Sequence, residues 1–332
     1  MNDSIKCGFS NIVEIVSGFQ ESDLVVIGSR PDKGKSTFAK QIALNVAVDN
    51  QIPTMFFSPA ESGIRFAFDL LCLGCGRTQS WMEEHPDMVD EVTKYAEERF
   101  SCAPLFIDDT PDLKIEDFLC KAKKMVNAKG IRLIIIDYVQ FMCGPEPFRT
   151  NGPREEEMDC VAKSLKKAAE ELKVPIIVLS QLQRGPDRPP PMDDISDSKD
   201  LKELADVIIL MHNGIGWDKI DGQIIGEFII AKNARGNIGT VELTCDLEQG
   251  KFYEEIISDG VTMKAFRITP KRIRRSNGQV LTPEMSVVVS TNLSNPFNNG
   301  AKEVAEAYMR IYGFDYKRSC CCKTDFDCVL LG

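Results

Sequence analysis

Apolar residues along this chain fall into two alternating patterns. Short unbroken runs recur at Leu24–Val25–Val26–Ile27–Gly28, Thr54–Met55–Phe56–Phe57–Ser58 and Pro104–Leu105–Phe106–Ile107. They recur again at Leu133–Ile134–Ile135–Ile136, Ile176–Ile177–Val178–Leu179 and Val207–Ile208–Ile209–Leu210. Runs of this length and β-rich make-up predict strands. The longer stretches between them predict helices over 34–48, 62–72, 87–99, 114–128 and 155–172. The stretch 114–128 is the clearest, with Ile115, Phe118, Leu119, Ala122, Met125 and Val126 recurring at three and four. Strands that are apolar throughout are buried on both faces, so a mostly parallel sheet with helices on both sides is expected. Residues 224–231 and 239–245 flank a Gly-containing turn and predict a late antiparallel hairpin on the sheet edge. The fold class is α/β, and no internal repeat is visible.

The pattern changes near residue 257. Beyond it come a basic run, an Asn/Ser/Pro/Gly loop at 290–300, a helix predicted over 301–312 and a Cys-rich end. Charge changes at the same place. Of 40 basic and 50 acidic residues, 11 and 7 lie in 258–332, a balance of +4 against −14 for the rest. Two units are therefore expected, 1–257 and 258–332. The basic run Lys271–Arg272–Ile273–Arg274–Arg275 is either a phosphate-backbone contact or a solvated strand or turn. The 301–312 helix, with Val304, Ala305, Ala307, Tyr308 and Ile311 on one side, is expected to pack on the core or a partner.

Composition narrows the class. With 332 residues, 43% of them apolar, the chain can bury a sizeable core, yet no apolar segment is long enough to span a bilayer. The start, Met1–Asn2–Asp3–Ser4–Ile5–Lys6, lacks the basic stretch and apolar run of a leader. A cytoplasmic protein without a membrane association is expected. The 12 cysteines are spread along the chain, several inside apolar runs, which suits free thiols rather than a disulfide scaffold. Cys72 and Cys75 form a CxxC, but no second ligand pair accompanies it and His85 and His212 are the only histidines, so zinc is not expected there. The run Cys320–Cys321–Cys322, with Cys328, reads as a reactive end.

The strongest local signal is Gly28–Ser29–Arg30–Pro31–Asp32–Lys33–Gly34–Lys35–Ser36–Thr37, between a predicted strand and a predicted helix. Ser29 takes the place of the first glycine of the phosphate-loop pattern, with Gly28 one residue earlier. The physics of the motif survives. Gly34 lets backbone approach phosphate, helix-start amides point at the anion, Lys35 reaches the β- and γ-phosphates and the Ser36 hydroxyl ligates Mg²⁺. Asp137 follows Leu133–Ile136 directly, and an acid at that strand end is expected in the Mg²⁺ water shell. Gln181, at the end of 176–179, is expected to contact the γ-phosphate or the attacking water.

These strand ends, in this order, carry a resemblance. The stretches Ser29–Arg30–Pro31 to Thr37, Ile107–Asp108–Asp109–Thr110–Pro111 and Ile135–Ile136–Asp137–Tyr138–Val139–Gln140 contribute to it. So do Val174–Pro175 to Ser180–Gln181–Leu182, Leu204–Ala205–Asp206–Val207, and Ile230–Ala231–Lys232 to Gly239–Thr240–Val241. The chain resembles, over about residues 8–250, the ATPase domain of the DnaB-type bacterial and phage replicative helicases. The resemblance implies a RecA-like P-loop NTPase core and a homo-oligomeric, usually hexameric, ring with ATP and Mg²⁺ bound between neighbours. It also implies translocation on single-stranded DNA in DNA replication. Ser29, Arg30, Pro31, Lys33, Gly34, Lys35, Ser36 and Thr37 match the nucleotide loop, Ser36 and Asp137 the metal site, and Gln181 the sensor. Lys232 matches a hairpin lysine that reaches the neighbour's nucleotide. The segments 143–154 and 183–200, with Arg149, Arg154, Arg184, Arg188 and Lys199, correspond to channel loops or are solvated loops.

The chain departs from the family pattern at three places. The family's catalytic glutamate aligns with Ala60, and Glu61 comes one residue late, after Pro59. A loop at the strand end can restore its direction; otherwise hydrolysis loses its base. The trans-acting arginine aligns with Ala234, and Arg235 follows. In the stretch Asp194–Ile195–Ser196–Asp197–Ser198–Lys199 the family's loop arginine is Ser196 and its glycine Lys199. The family's N-terminal helical domain and linker helix have no counterpart in this sequence. The reading is an ATP-hydrolysing, helicase-type motor with Glu61, Lys35, Arg235 and Gln181 as catalytic residues. Its rivals are a recombinase-like or regulatory ATPase that binds DNA without unwinding it, and a nucleotide-binding interaction module that has lost hydrolysis.

Overall fold

The computed structural model describes residues 4–146, 148, 152–186, 188–195, 198–212, 224–246, 251–254, 257–258, 261–262, 264–276, 279–291, 296–297, 301–312, 314–316 and 323–331. The main-sheet strands are β1 Leu24–Ser29, β2 Thr54–Phe57, β3 Leu105–Asp108, β4 Leu133–Ile136, β5 Ile176–Gln181 and β6 Val207–His212. After them come β7 Ile224–Asn233, β8 Gly239–Asp246, β9 Lys251–Tyr253, β10 Lys264–Pro270, β11 Ser286–Thr291 and β12 Phe326–Leu331. The helices are α1 Ser10–Val16, α2 Lys35–Ala43, α3 Gly63–Cys75, α4 Gln79–Glu84, α5 Val89–Phe100, α6 Ile115–Lys129, α7 Arg154–Leu172, α8 Lys199–Leu204 and α9 Lys302–Tyr312. The helix expected over 34–48 is α2 continued by a π-helical segment, Leu44–Asp49. None of the described helices is long and apolar enough to cross a membrane.

Among the described residues one 12-stranded sheet runs β12-β10-β11-β8-β7-β6-β1-β5-β4-β2-β3, with β9 added to β8. Pairing from β3 through β6 is parallel. Alternation along each strand divides the core into two layers. Val25, Ile27, Phe56, Ile135, Ile177 and Leu179 face α1, α2 and α3 with Phe38, Ile42 and Phe66. Leu24, Val26, Phe57, Ile134, Ile136 and Val178 face α6 and α7 with Phe118, Met158 and Leu165. Burial on both sides is why these strands carry no polar alternation.

The late hairpin forms as β7 and β8, antiparallel to each other, with β7 antiparallel to β6. Its expected place at the sheet edge is corrected: β11 pairs with β8 through Gly239↔Ser286 and Thr240↔Val287, and β10 and β12 continue the sheet beyond it. The region past 257 therefore adds strands as well as the expected helix. Its own apolar cluster joins Phe266, Ile268, Val287, Val304, Tyr308 and Phe326. The Tyr308 hydroxyl donates to the Ile268 carbonyl at 2.9 Å, and the Tyr312 hydroxyl to that of Ser286 at 3.0 Å. Much of the basic run is neutralised internally. Arg272 and Arg274 converge on the fully buried Asp325 carboxylate, and Lys271 pairs with Asp327 at 3.2 Å. Arg275 is exposed.

Candidate functional site

Parallel register brings four strand ends to one edge. Ser29 pairs with Gln181, Val178 with Ile136, and Ile136 with Phe57, so Ser29, Gln181, Asp137 and Ser58 lie in a row at the carboxyl ends of the strands. The chain leaves β1 here for α2 and returns to the sheet three strands away, the switch point at which open α/β sheets bind ligands. Gly34 caps α2 with φ 76°, a left-handed conformation that a side chain resists, and a Cβ there would meet the Phe252 ring at 3.0 Å. Ser29 is buried and its hydroxyl donates to the Arg30 carbonyl at 3.0 Å.

Lys35 is buried at the first position of α2, with Nζ 4.5 Å from the centre of the Tyr138 ring. Burial pushes its ammonium down, and Asp137 opposes that shift. Asp137 is 3% exposed, and burial pushes its carboxyl up. A hydrogen bond with Ser36 and the charges of Lys35 and Lys40 oppose the shift, while Glu61 adds to it. The Asp137 Oδ1 is buried without a hydrogen-bond partner. A buried carboxylate oxygen left open beside a serine hydroxyl, a lysine and a helix start is a donor set that suits a hydrated divalent cation carrying phosphate.

Pro59 directs the loop after β2. The Glu61 N–H donates to the Ser58 carbonyl at 3.3 Å, closing a turn with Pro59 in its second position. That turn brings Glu61 back to α2, where Oε1 lies 2.5 Å from Lys40 Nζ and 3.5 Å from Ser58 Oγ. Gln140 bridges β4 and β5: its Nε2 donates to the Gln181 carbonyl at 3.2 Å and its Oε1 accepts from the Gln181 N–H at 3.2 Å. Gln181 lines a cavity of about 300 Å³ with Pro31, Tyr138 and Arg184. A larger cavity, about 450 Å³, lies between Pro189–Pro191, the β7–β8 hairpin and Met285 and Tyr312. None of the phosphate-loop residues lines it.

Arg30 ties the phosphate loop to segment 183–195. It is 9% exposed, pairs with Asp194 at 3.0 Å, donates to the Arg188 carbonyl at 2.9 Å and also to that of Pro186. Within the same segment Arg184 and Arg188 are exposed. Arg154 is also exposed but is engaged within the chain, donating to the Gln140 carbonyl at 2.7 Å and pairing with Glu157. Lys199 sits 3.7 Å from Glu203. Arg149, Ser196 and Cys320–Cys321–Cys322 lie outside the described residues.

Lys232 and Arg235 are not brought to this edge. Lys232 Nζ donates to the Lys202 and Glu203 carbonyls at 3.0 and 2.7 Å. The Asn233 side chain accepts from the Arg235 N–H at 3.2 Å, shaping a turn that sends the guanidinium to Asp23 at 2.5 Å. Asp23 precedes β1, so Arg235 lies about 20 Å of strand from its own phosphate loop. The site residues that pattern reading overlooked are Lys40 and Tyr138. Lys40 had a visible signal, a lysine set among Phe38, Ala39, Ile42 and Ala43 of a buried helix. Cys72 and Cys75 are free thiols, and no group of three or more His, Cys, Asp or Glu able to hold a metal occurs among the described residues.

The DnaB-like helicase C terminal domain family matches residues 4–254, and a family of unknown function matches residues 263–328. The replicative DNA helicase DnaB of Geobacillus stearothermophilus is 34% identical over 256 residues, covering 75% of this chain and 56% of that protein. The replicative DNA helicase DnaC of Bacillus subtilis is 32% identical over 256 residues, with the same coverage of 75% and 56%. This chain thus spans a little over half the length of these curated relatives. Among solved structures, an isolated ATPase domain superposes with a TM-score of 0.68 at 26% identity, covering 76% of this chain and 91% of that one. A DnaB-like replicative helicase, studied for its interactions with primase, gives the same TM-score and identity, covering 76% and 62%.

Proposed function

The chain belongs to the family of DnaB-like helicase C-terminal domains, and from that premise we propose that it is an ATP-driven motor that moves on single-stranded DNA as a homo-oligomeric ring. The observation that carries the reading is the Asp137 oxygen left open beside Ser36, in front of Gly34 and the buried Lys35. Ser36 and Asp137 would hold Mg²⁺, Asp137 through its water shell, and the ion would supply positive charge against the phosphates. Ser29, Arg30, Pro31, Lys33, Gly34 and Thr37 form the cradle, and Lys35 supplies a fixed positive charge in a dry setting, where it acts strongly. Glu61 accepts the proton of the attacking water, and Gln181 senses the γ-phosphate. Lys232 and Arg235 serve the neighbouring subunit's nucleotide.

Arg30 supplies the link that a motor needs, joining the phosphate cradle to the segment that carries Arg184 and Arg188. Exposed cations on a loop suit contact with phosphate backbone, so little sequence preference is expected. In this reading residues 1–257 are the motor and 258–332 a separate unit fused to its sheet. The test is steady-state ATP hydrolysis with and without single-stranded DNA, with Lys35→Ala as the blank. Turnover well above the blank and raised several-fold by DNA supports the motor. Turnover equal to the blank at saturating ATP overturns it in favour of a nucleotide-binding module.

A further inference from the structure

Lys40 is the most deeply buried ammonium near the phosphate loop, with 4% of its side chain exposed. It leaves α2 five residues after Lys35, about 140° further round the helix. Its Nζ lies 2.5 Å from Glu61 Oε1 and 2.8 Å from Asp69 Oδ2, and 5.2 Å from the centre of the Phe66 ring. A buried ammonium persists only where carboxylates pair it. The two partners differ in setting. Asp69 is also held by Arg65, at 3.2 Å, and lies on α3, away from the strand ends. Glu61 sits on the loop after β2, close enough to Asp137 for the two carboxylates to repel each other. Lys40 thus connects a fixed anchor to the carboxylate that faces the phosphate site.

We propose that Lys40 is a positioning residue for hydrolysis. Its ammonium, anchored on Asp69, fixes the Glu61 carboxylate at the mouth of the phosphate site. The Ser58–Pro59–Ala60–Glu61 turn carries a glutamate displaced by one residue back toward α2, and Lys40 sets where its carboxylate comes to rest. Lys40 touches neither nucleotide nor water in this scheme; its charge also reaches Asp137, but its effect on hydrolysis runs through the Glu61 carboxylate that it pairs. The inference rests on Glu61 being the base in the function proposed above.

The experiment measures ATP turnover and binding of a fluorescent ATP analogue for the full chain, comparing wild type, Lys40→Met, Lys40→Arg, Glu61→Gln and the Lys40→Met/Glu61→Gln pair. Lys40→Met is expected to lower kcat about tenfold or more, with KM and analogue affinity within about twofold. Lys40→Arg restores most of the loss. In the Glu61→Gln background Lys40→Met costs less than about twofold, since the group it acts through is already gone. Lys40→Gln, which keeps length and polarity, replaces Lys40→Met if circular dichroism shows that variant unfolded. An equal loss in both backgrounds overturns the inference and leaves the proposed function standing. A gain in turnover on losing Lys40 also overturns it, because Lys40 would then be withholding Glu61. Wild-type turnover no higher than that of Lys35→Ala overturns the proposed function, and this inference with it.

Discussion

At the scale of single residues, the site is assembled from groups whose surroundings oppose them. Asp137 is nearly fully buried, and burial outweighs the hydrogen bond from Ser36 and the charges of Lys35 and Lys40. A carboxyl whose folded pKa lies above its unfolded value holds its proton more tightly in the folded chain. The stability this group adds is complete below the unfolded value, near 3.9, and is lost as pH rises through the folded one. At neutral pH the ionised carboxylate therefore weakens the fold that presents it. Asp137→Asn is expected to raise the melting temperature of the nucleotide-free chain by about 2–4 °C for each kcal/mol of relieved charge burial. The same substitution abolishes Mg²⁺-dependent turnover. Differential scanning calorimetry at pH 7 reads the first effect and an ATPase assay the second; an unchanged or lowered melting temperature means that Ser36 and the lysines already offset the burial. Lys35 is placed under the same tension, pushed down by burial and held up by Asp137, so each of the two makes the other tolerable.

At the scale of elements, the segment between β5 and β6 is governed from the phosphate loop. Arg30 holds Asp194 by its charge and the Pro186 and Arg188 carbonyls by hydrogen bonds, so a shift of the loop around a phosphate is expected to carry Pro186, Arg188 and Asp194 with it. Asp194→Asn keeps the two carbonyl bonds and removes the charge pair. The expected result is a several-fold fall in the ratio of DNA-stimulated to basal turnover, read in one titration of single-stranded DNA. A ratio equal to that of wild type shows that the carbonyl bonds alone transmit the movement. None of this was legible in the sequence, because Arg30 and Asp194 are 164 residues apart and nothing local marks them as partners. What was legible follows from local rules. The six apolar runs became β1 to β6 because burial on both faces leaves a continuous signal, and Gly34–Lys35–Ser36 was marked by its place between strand and helix. The positions of Glu61 and Arg235 were not legible. Each depends on a turn, one set by Pro59 and the other by the Asn233 side chain, that redirects a side chain within two or three residues. The strands β10 and β11 were missed because they are half-polar, and β12, though mostly apolar, because it follows the Cys-rich run; all three find their partners only across the tertiary fold.

At the scale of the whole molecule, the proposed function assigns complementary halves of one reaction to the two ends of the sheet. Lys35, Ser36 and Asp137 lie at the carboxyl ends of the strands, whereas Lys232 and Arg235 lie at the amino end of β6 and β1. Arg235 cannot serve its own nucleotide from there, and with 42% of its side chain exposed it is open to a neighbour despite its contact with Asp23. In the ring proposed above, head-to-tail stacking of identical chains would bring one chain's amino-end face against the next chain's phosphate loop; such a heterologous contact closes into a ring when its rotation closes and otherwise runs on as a filament. In that arrangement Arg235 would exchange Asp23 for phosphate. Burial pushes the Asp23 carboxyl up, and Arg235 opposes that shift, so release of the arginine would push it further up. Arg235→Ala is expected to lower kcat about 10³-fold or more while leaving ATP binding intact, and Lys35→Ala to lose binding. The two defects fall on opposite faces, so mixed assemblies of the two variants regain intact contacts: a phosphate loop from Arg235→Ala chains meets an arginine from Lys35→Ala chains. In a random equal mixture about one quarter of contacts are of this kind. Co-expressed mixtures should recover up to that share of wild-type turnover if contacts act independently, and less if neighbouring sites must fire in turn. A mixture as inactive as either variant alone would place the arginine in its own chain's site, or show that one dead subunit stops the whole ring. Lowering the dead fraction separates these outcomes. With wild type in excess, one poisoned ring per defective chain makes activity fall faster than the defective share, whereas an arginine acting within its own chain makes it fall in proportion.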